Sequence, residues 1–314
     1  MPVFANTAPD PTADAEQQAV VRIRVSWGLG DDLNMKVHHL NCATMCPYGG
    51  RLLSGSGGLT SPAQMICHVL LIETDAGLVL VDSGLGLQDL RMPAQRLGRQ
   101  LLTLMRPVLD ADETAARLVE ALGFSTDDVR HIVLTHMDLD HAGGLSDFPK
   151  AHVHLHAAEH DAAITRRTPL ERSRYRPLQW AHEPTFETYR PTGETWFGFE
   201  AVRDLRGLPP EILIIPLLGH SRGHSGVAVE TEHGVLLHAG DAYFHRAEMD
   251  SDRRRCPPFL DVFQRIVEIS SSQRRENQER LRQLARENRG AVRVFSAHDP
   301  VELERCQQRA ERAA

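Results

Sequence analysis

Within the stretch Thr135-His136-Met137-Asp138-Leu139-Asp140-His141-Ala142-Gly143-Gly144, two imidazoles and two carboxylates stand almost side by side. Imidazole nitrogen and carboxylate oxygen are the usual ligands of divalent ions, so the cluster points to metal-site chemistry. Ligands at i, i+2, i+4 and i+5 do not share one helical face, as the histidine pair of a helical H-E-x-x-H site does. They can converge from an extended loop that turns into a helix. The apolar run His131-Ile132-Val133-Leu134 just upstream reads as the buried strand that feeds that loop. Gly143 and Gly144 are expected to let the backbone turn sharply beside the ions. Solvated loops also gather His and Asp, so the remaining ligands must be sought elsewhere in the chain.

Three other places offer them, each at the end of a strand-like run. The run from Ile212 to Leu218 leads into Gly219-His220-Ser221-Arg222-Gly223-His224. The run Gly234-Val235-Leu236-Leu237-His238 leads to Gly240-Asp241, and Val292-Arg293-Val294-Phe295 leads to Ala297-His298-Asp299. Asp82 closes another such run, Gly77 to Val81, where its carboxylate could orient a metal-bound imidazole or cap the following helix. Singly, each is compatible with a core or capping role; together, several strand ends carrying metal-type ligands in one chain are a poor match to accident. By contrast, Ala151-His152-Val153-His154-Leu155-His156 alternates histidine at period two. Side chains at i and i+4 of a strand stand roughly 13 Å apart, so these histidines are expected to be structural.

The elements that must position these residues follow from composition and pattern. The chain has 314 residues, 41% of them hydrophobic, which suits one soluble domain with a sizeable core. Its net charge of −7, from 42 acidic and 35 basic residues, argues against the nucleic-acid backbone as main partner. Five cysteines, an odd number in a long chain, do not resemble a disulfide framework and suit a reducing cytoplasm. No apolar run is long enough to span a bilayer and no export leader is recognisable, so neither a membrane partner nor secretion is expected. Residues 1–34 are expected to be a disordered or added extension, with Val20 to Val25 as a possible edge strand and Met35 as an alternative start. The domain proper is expected over 35–314. Cys42 and Cys46 are placed on a loop after the first strand, as free thiols.

Met65 to Thr74 and Gly77 to Gly84 are predicted as a hairpin about Asp75-Ala76-Gly77. Helical periodicity over 88–122 predicts two helices, separated by Pro107 and the acidic run Asp110 to Glu113. The segment 157–199 is polar and interrupted by Pro169, Pro177, Pro184 and Pro191, and is expected to be an irregular lid or pocket wall. Phe259 to Glu287 is predicted as one or two amphipathic helices ending at Gly290.

The ordered set His136-x-Asp138-x-Asp140-His141, Gly219-His220-x-x-Gly223-His224, Gly240-Asp241 and Ala297-His298-Asp299 resembles the metallo-β-lactamase superfamily, over about residues 36 to 300. The resemblance implies an α/β fold, a four-layer αββα sandwich of two mixed β-sheets flanked by helices. It also implies a dinuclear site at one sheet edge. Carried over by position, His136, Asp138 and His220 would hold the first ion, and Asp140, His141 and His298 the second. Asp241 would bridge both, and Asp82 would support them from behind. His224 and Tyr243 are further candidates for support or substrate contact. Asp138 departs from the family's pattern, which has histidine there. A carboxylate makes that position harder and more anionic, so zinc is expected in general, with iron or manganese as alternatives.

The chemistry so implied is that of a metal-dependent hydrolase. Two ions lower the pKa of a shared water, and the resulting hydroxide attacks a lactone or other carboxylic ester, with Asp140 steering the water or passing a proton. The single domain and the insertion after residue 157 resemble the lactonase branch. The lactonases' tyrosine, three residues after the bridging aspartate, is Phe244 here, and Tyr243 lies one earlier. Alternatives are a phosphodiesterase or nuclease, for which Arg166, Arg167, Arg172 and Arg174 could supply a basic groove, and a thioesterase. From another class, the alternative is a metal-binding protein without turnover. A homo-oligomer is compatible with all of these.

Overall fold

Large apolar side chains alternate along the strands, and that alternation sets the layers. The computed structural model describes residues 35–250 and 253–313. The expected extension over 1–34, with its candidate edge strand, lies outside the described residues. β1 (Val37–Met45), β2 (Met65–Thr74), β3 (Gly77–Val81), β4 (Pro107–Val108), β5 (Val129–Val133), β6 (His152–His156) and β7 (Thr185–Tyr189) form one sheet in the order β4-β1-β2-β3-β5-β6-β7. After a two-stranded ribbon, β8 (Thr195–Trp196) and β9 (Phe199–Glu200), comes a second sheet. It consists of β10 (Ile212–Pro216), β11 (Ser225–Thr231), β12 (Gly234–His238) and β13 (Val292–Phe295), in that order. Both are mixed: β3, β5, β6 and β7 run parallel to one another, as do β12 and β13, and the other pairs are antiparallel.

Leu70, Ile72, Val79, Val81 and Val133 face Ile212, Ile214, Val227, Val229, Leu236 and Phe295 in one apolar layer between the sheets. Their neighbours in sequence, Val69, Leu71, Leu78, Leu80 and Ile132, point the other way, onto Ala115, Ala116 and Val119 of the helix Ala115–Ala121 and Ala162 and Ala163 of the helix Ala157–Thr165. On the far side of the second sheet, Leu213, Ile215, Ala228, Val235 and Leu237 pack on Leu281 and Leu284 of the helix Ser271–Glu287. Strands buried on both faces, with period-two side chains feeding two cores, give the four-layer α/β/β/α sandwich. The turn between β2 and β3 is the expected hairpin, pairing Thr74 with Gly77.

Several local expectations are corrected. The helical run starting near Gln88 is cut into Leu87–Arg91, Pro93–Arg96 and Gly98–Leu104. Pro93 lacks a backbone donor, and Gly98, at φ 80, leaves room for the Arg176 guanidinium, which a Cβ would meet at 2.5 Å. Gly143 has ordinary right-handed helical angles, so a sharp turn is not its purpose. The reason is close packing: a Cβ on Gly143 would lie 2.3 Å from Asp89 Oδ2, and one on Gly144 2.5 Å from the Ser83 carbonyl oxygen. Cys42 is inside β1 rather than on the following loop, and both it and Cys46 are free thiols. The segment 157–199 is not irregular. It contains the helices Ala157–Thr165 and Pro169–Arg174 and the edge strand β7. Thr168 and Glu171 cap the second helix reciprocally, with Pro169 in its first turn, where a missing N–H costs nothing. Of the β6 histidines, His154 is hydrogen-bonded to His131 and to the Tyr189 hydroxyl, each at 2.9 Å, and His156 accepts from the Ala158 amide.

Candidate metal centre

Each sheet delivers its polar residues just past the ends of its central strands, where the backbone leaves the hydrogen-bonded ladder. β5 ends at Val133, and the chain runs through Thr135 and His136 into the short helix Leu139–Ala142, which carries Asp140 and His141. β10 ends at Pro216, so His220 stands on the turn between β10 and β11 rather than at the strand terminus. Asp241 and His298 follow β12 and β13.

These residues converge as two sets that share one carboxylate. His136 Nε2 lies 3.5 Å from Asp138 Oδ2 and 3.6 Å from Asp241 Oδ2, while His220 Nε2 lies 3.1 and 3.5 Å from the same two atoms. On the other side, Asp241 Oδ1 is 3.3 Å from His141 Nε2 and 3.0 Å from His298 Nε2. Asp140 Oδ2 is 3.9 and 3.7 Å from those two nitrogens. An ion holding four ligands at about 2.1 Å in a tetrahedron keeps them roughly 3.4 Å apart. Both sets therefore have the spacing of ligands around a transition-metal ion. Moreover, His136 Nε2, His141 Nε2 and Asp241 Oδ1 are buried without any hydrogen-bond partner, although buried polar atoms are ordinarily satisfied. A divalent cation in each set would satisfy them.

The rear of the site fixes the imidazoles. Asp82, at φ 60, accepts from the Thr135 amide at 2.7 Å, from the Thr135 hydroxyl at 2.8 Å, and from His141 Nδ1 at 2.8 Å. That bond leaves His141 Nε2 as the free lone pair aimed at the second set. The Ile66 carbonyl does the same for His298 Nδ1 at 2.8 Å. His224 donates from Nδ1 to the Leu217 carbonyl and accepts the Asp241 amide on Nε2, each at 2.8 Å, so it holds the shared aspartate by its backbone. Tyr243 is placed elsewhere. Its hydroxyl reaches the Glu302 carboxyl, and Phe244 faces the site instead, stacked on His298 with ring centroids 4.9 Å apart.

The electrostatics match this geometry. Burial raises the Asp241 carboxyl, but His298, His141, His136 and His220 hold it well below the usual carboxylate range. Burial likewise raises Asp138, and Arg174 and His136 overcome it. Burial lowers His141, yet Asp241, Asp82 and Asp140 carry it well above the ordinary imidazole value; His298 is raised too, chiefly by Asp241 against burial. In the set of Asp140, His141 and His298, protons thus stand where a cation would and ion binding must release them, whereas His220 is lowered by burial and by Arg174.

Three residues near the site carry no metal-type motif in the sequence. Glu159, fully buried, accepts from the Met137 amide, the Tyr175 and Ser221 hydroxyls and the Gly223 amide, tying the loops on both sides of the site to one carboxylate. A Cβ on Gly223 would lie 2.2 Å from the Glu159 amide nitrogen, which explains that glycine. Arg174 is not part of a basic groove: it is buried, with Nε 3.4 Å from Asp138 Oδ1 and its other nitrogens on the carbonyls of His220 and Val267. Cys67 donates weakly to Asp140 Oδ2 at 3.8 Å. Only the ordered capping signal before Glu171 hinted that the Arg174 helix would form.

The two sets open into a cavity of about 390 Å³, with Asp138, Asp140, His220, Asp241 and His298 at its base and Met45, Leu97, Leu101, Phe244 and Phe263 among its walls.

A family model described as the metallo-beta-lactamase superfamily matches residues 63–298. A probable metallo-hydrolase of Mycobacterium tuberculosis is 44% identical over 266 residues, covering 85% of this chain and 81% of that protein. An N-acyl homoserine lactonase of Bacillus thuringiensis is 22% identical over 183 residues, covering 58% of this chain and 66% of that protein. Among solved structures, an N-acyl homoserine lactone hydrolase with the product N-hexanoyl-L-homoserine at its catalytic metal center superposes with a TM-score of 0.63 at 18% identity, covering 86% of this chain and 96% of that one.

Proposed function

Because the chain belongs to the metallo-beta-lactamase superfamily, as a metallo-hydrolase with a divalent-metal site, we propose that it hydrolyses a lactone or another carboxylic ester of small size. We assign His136, Asp138 and His220 to one ion, and Asp140, His141 and His298 to a second. The observation that carries this assignment is the divided Asp241 carboxylate, one oxygen facing each set at 3.0 to 3.6 Å. Zinc is the expected metal, with iron or manganese as alternatives at the position of Asp138.

When bound, such a pair of ions activates water near neutral pH and polarises the carbonyl under attack. The protein's own residues do the rest. Asp140, at the cavity base and mostly buried, is placed to orient the incoming water and carry a proton to the leaving oxygen. Asp82 and the Ile66 carbonyl hold the Nδ1 protons of His141 and His298, which turns Nε2 of each toward the ion it would bind. Met45, Leu97, Leu101 and Phe263 give the acyl part of the substrate an apolar wall. Phe244 has no hydroxyl and Tyr243 is turned onto Glu302, so no phenol at either position serves the carbonyl.

Arg167, Arg172 and Arg174 do not combine into a basic groove. Arg174 is committed to Asp138 and two carbonyls, Arg167 pairs with Asp161 at 3.3 Å, and Arg172 bonds the carbonyls of residues 166 and 167. This favours an ester over a phosphodiester. The test is hydrolysis of an acyl lactone, an aryl ester, a thioester and a phosphodiester by protein reconstituted separately with zinc, manganese and iron. Preference for the lactone or ester supports the proposal, and phosphodiester turnover above both overturns it.

A further inference from the structure

The mouth of the cavity exposes more apolar surface than a small substrate can cover. The helix Pro258–Val267 turns Phe259, Val262 and Ile266 outward, 54%, 53% and 68% exposed. Their spacing places them along one stripe of that helix. On the other elements of the rim, Tyr48 and Leu104 are 64% and 59% exposed, and both line the cavity together with Ile266. Phe259 lies beside Gly49, so the stripe continues into the segment bearing Tyr48. A contiguous exposed apolar patch of this kind marks an interaction surface.

The charge around it is opposite to that of the whole chain. The molecule carries −7, yet residues 42–72 contain Arg51 and no acidic residue. Residues 90–109 contain the exposed Arg91 and Arg99 and the half-buried Arg106, and no acidic residue; Arg96 in this stretch is buried against Asp89 and takes no part. Arg253, Arg254 and Arg255 stand just before the amphipathic helix, with Arg254 also paired to Glu248 at 2.8 Å and Arg255 3.9 Å from Asp250. That helix has one carboxylate, Asp261, bridged by Arg254 at 2.9 Å, Arg265 at 2.6 Å and Arg275 at 3.7 Å. Arg106 sits over the Tyr48 ring, 3.9 Å from its centroid. Apolar side chains framed by arginines at an opening are what an anionic, oily surface complements.

We propose that this rim is a peripheral docking surface for an anionic lipid–water interface. Phe259, Val262, Ile266, Tyr48 and Leu104 enter the acyl boundary, and the arginines around them reach the phosphate headgroups. The contact is peripheral, because no helix among the described residues is long and apolar enough to cross a membrane. A second copy of the chain fits less well, since a two-fold interface would set these arginines against one another. In this arrangement the cavity opens toward the lipid, and an acyl substrate enters without crossing bulk water.

The experiment is co-sedimentation of the full chain, metal-loaded, with vesicles of phosphatidylcholine alone or mixed with phosphatidylglycerol, at low and high salt. Binding to the mixed vesicles that weakens with salt and is much poorer on phosphatidylcholine alone is expected. The double variant Phe259→Glu/Val262→Glu should bind the mixed vesicles roughly tenfold more weakly or worse, with metal content and circular dichroism unchanged. Arg253→Ala/Arg255→Ala, both exposed, should weaken binding and flatten its salt dependence. No binding to mixed vesicles at low salt, equal binding to both compositions, or unaltered binding by both variants overturns the proposal. So does a concentration-dependent dimer that the glutamate variant dissociates. None of these readouts uses turnover, so their failure is separate from failure of the ester reading.

Discussion

Replacing Asp82 by Asn tests whether a residue that touches no substrate sets the chemistry of the centre. The change keeps the side-chain shape, and asparagine tolerates the left-handed backbone at φ 60. It alters only the donor–acceptor balance. Oδ1 faces the Thr135 amide at 2.7 Å, a donor that cannot change, so the carboxamide must put its oxygen there and its NH2 at the place of Oδ2. That NH2 then meets His141 Nδ1, which lies 2.8 Å from Oδ2. To accept, His141 must move its proton to Nε2, the atom aimed at Asp241 and the second ion. If the amide keeps the opposite orientation, a buried donor faces a donor, at a cost of about 1–3 kcal/mol. Either way the affinity for the ion held by His141 should fall about 10–100-fold, or about 1.4–2.7 kcal/mol. The ion at His136 depends on Asp82 only through the Thr135 hydroxyl, 2.9 Å from His136 Nδ1, and should be affected less. Titration of the metal-free protein with zinc or cobalt against a competing chelator resolves the two steps. Two affinities within about threefold of the parent's, at unchanged thermal stability, would refute the tautomer argument.

Removing the shared ligand is the coarser test: Asp241→Ala should abolish hydrolysis and retain neither ion after dialysis, and a variant that keeps both would place the ligands elsewhere. Asp138→His should move metal preference toward zinc but leave the buried Arg174 guanidinium without its acid, costing the metal-free fold about 3 kcal/mol. Adding Arg174→Leu should recover part of that loss in denaturant unfolding, whereas strictly additive effects would mean the two side chains are not coupled. The carboxyl of Glu302 is pushed up to about 8 by burial and by Asp299, from an ordinary 4.5. The folded state therefore holds a proton that the unfolded chain releases. The stability tied to it is complete below about 4.5, drains away as pH rises, and is gone above about 8. The melting temperature should decline over that window in the parent and less steeply in Glu302→Gln; equal slopes would be evidence against the shift.

The order and identity of the metal-type residues were legible because each stands just past an apolar run. A strand must end before a backbone can present ligands across a sheet edge, and His136, Asp241 and His298 follow that rule. His220 departs from it, since the apolar stretch outlasts the ladder and the strand stops at Pro216. Asp82 was legible as one of two roles, and the structure gives it to His141. Glu159 and Arg174 could not be found from pattern. Their roles arise from partners 16 to 93 residues away along the chain, and nothing local distinguishes a carboxylate that gathers two loops from one on a solvated helix. Periodicity also overran its reach between residues 88 and 104, where the spacing of leucines is helical but Pro93 and the left-handed Gly98 divide the segment.

The carboxylate of Glu159 has a consequence for turnover. It sits at the start of the segment that covers one side of the cavity, yet it grips Met137, Ser221 and Gly223 on the very loops that bear His136 and His220. The same segment, through Arg174, grips the His220 carbonyl. A hinged flap must come away from what it covers, and this one cannot do so without dragging the ligands apart. This segment is therefore a fixed wall of the cavity rather than its flap. Substrate binding should then show a single viscosity-dependent phase, with no slower closing phase of this segment in rapid-mixing experiments.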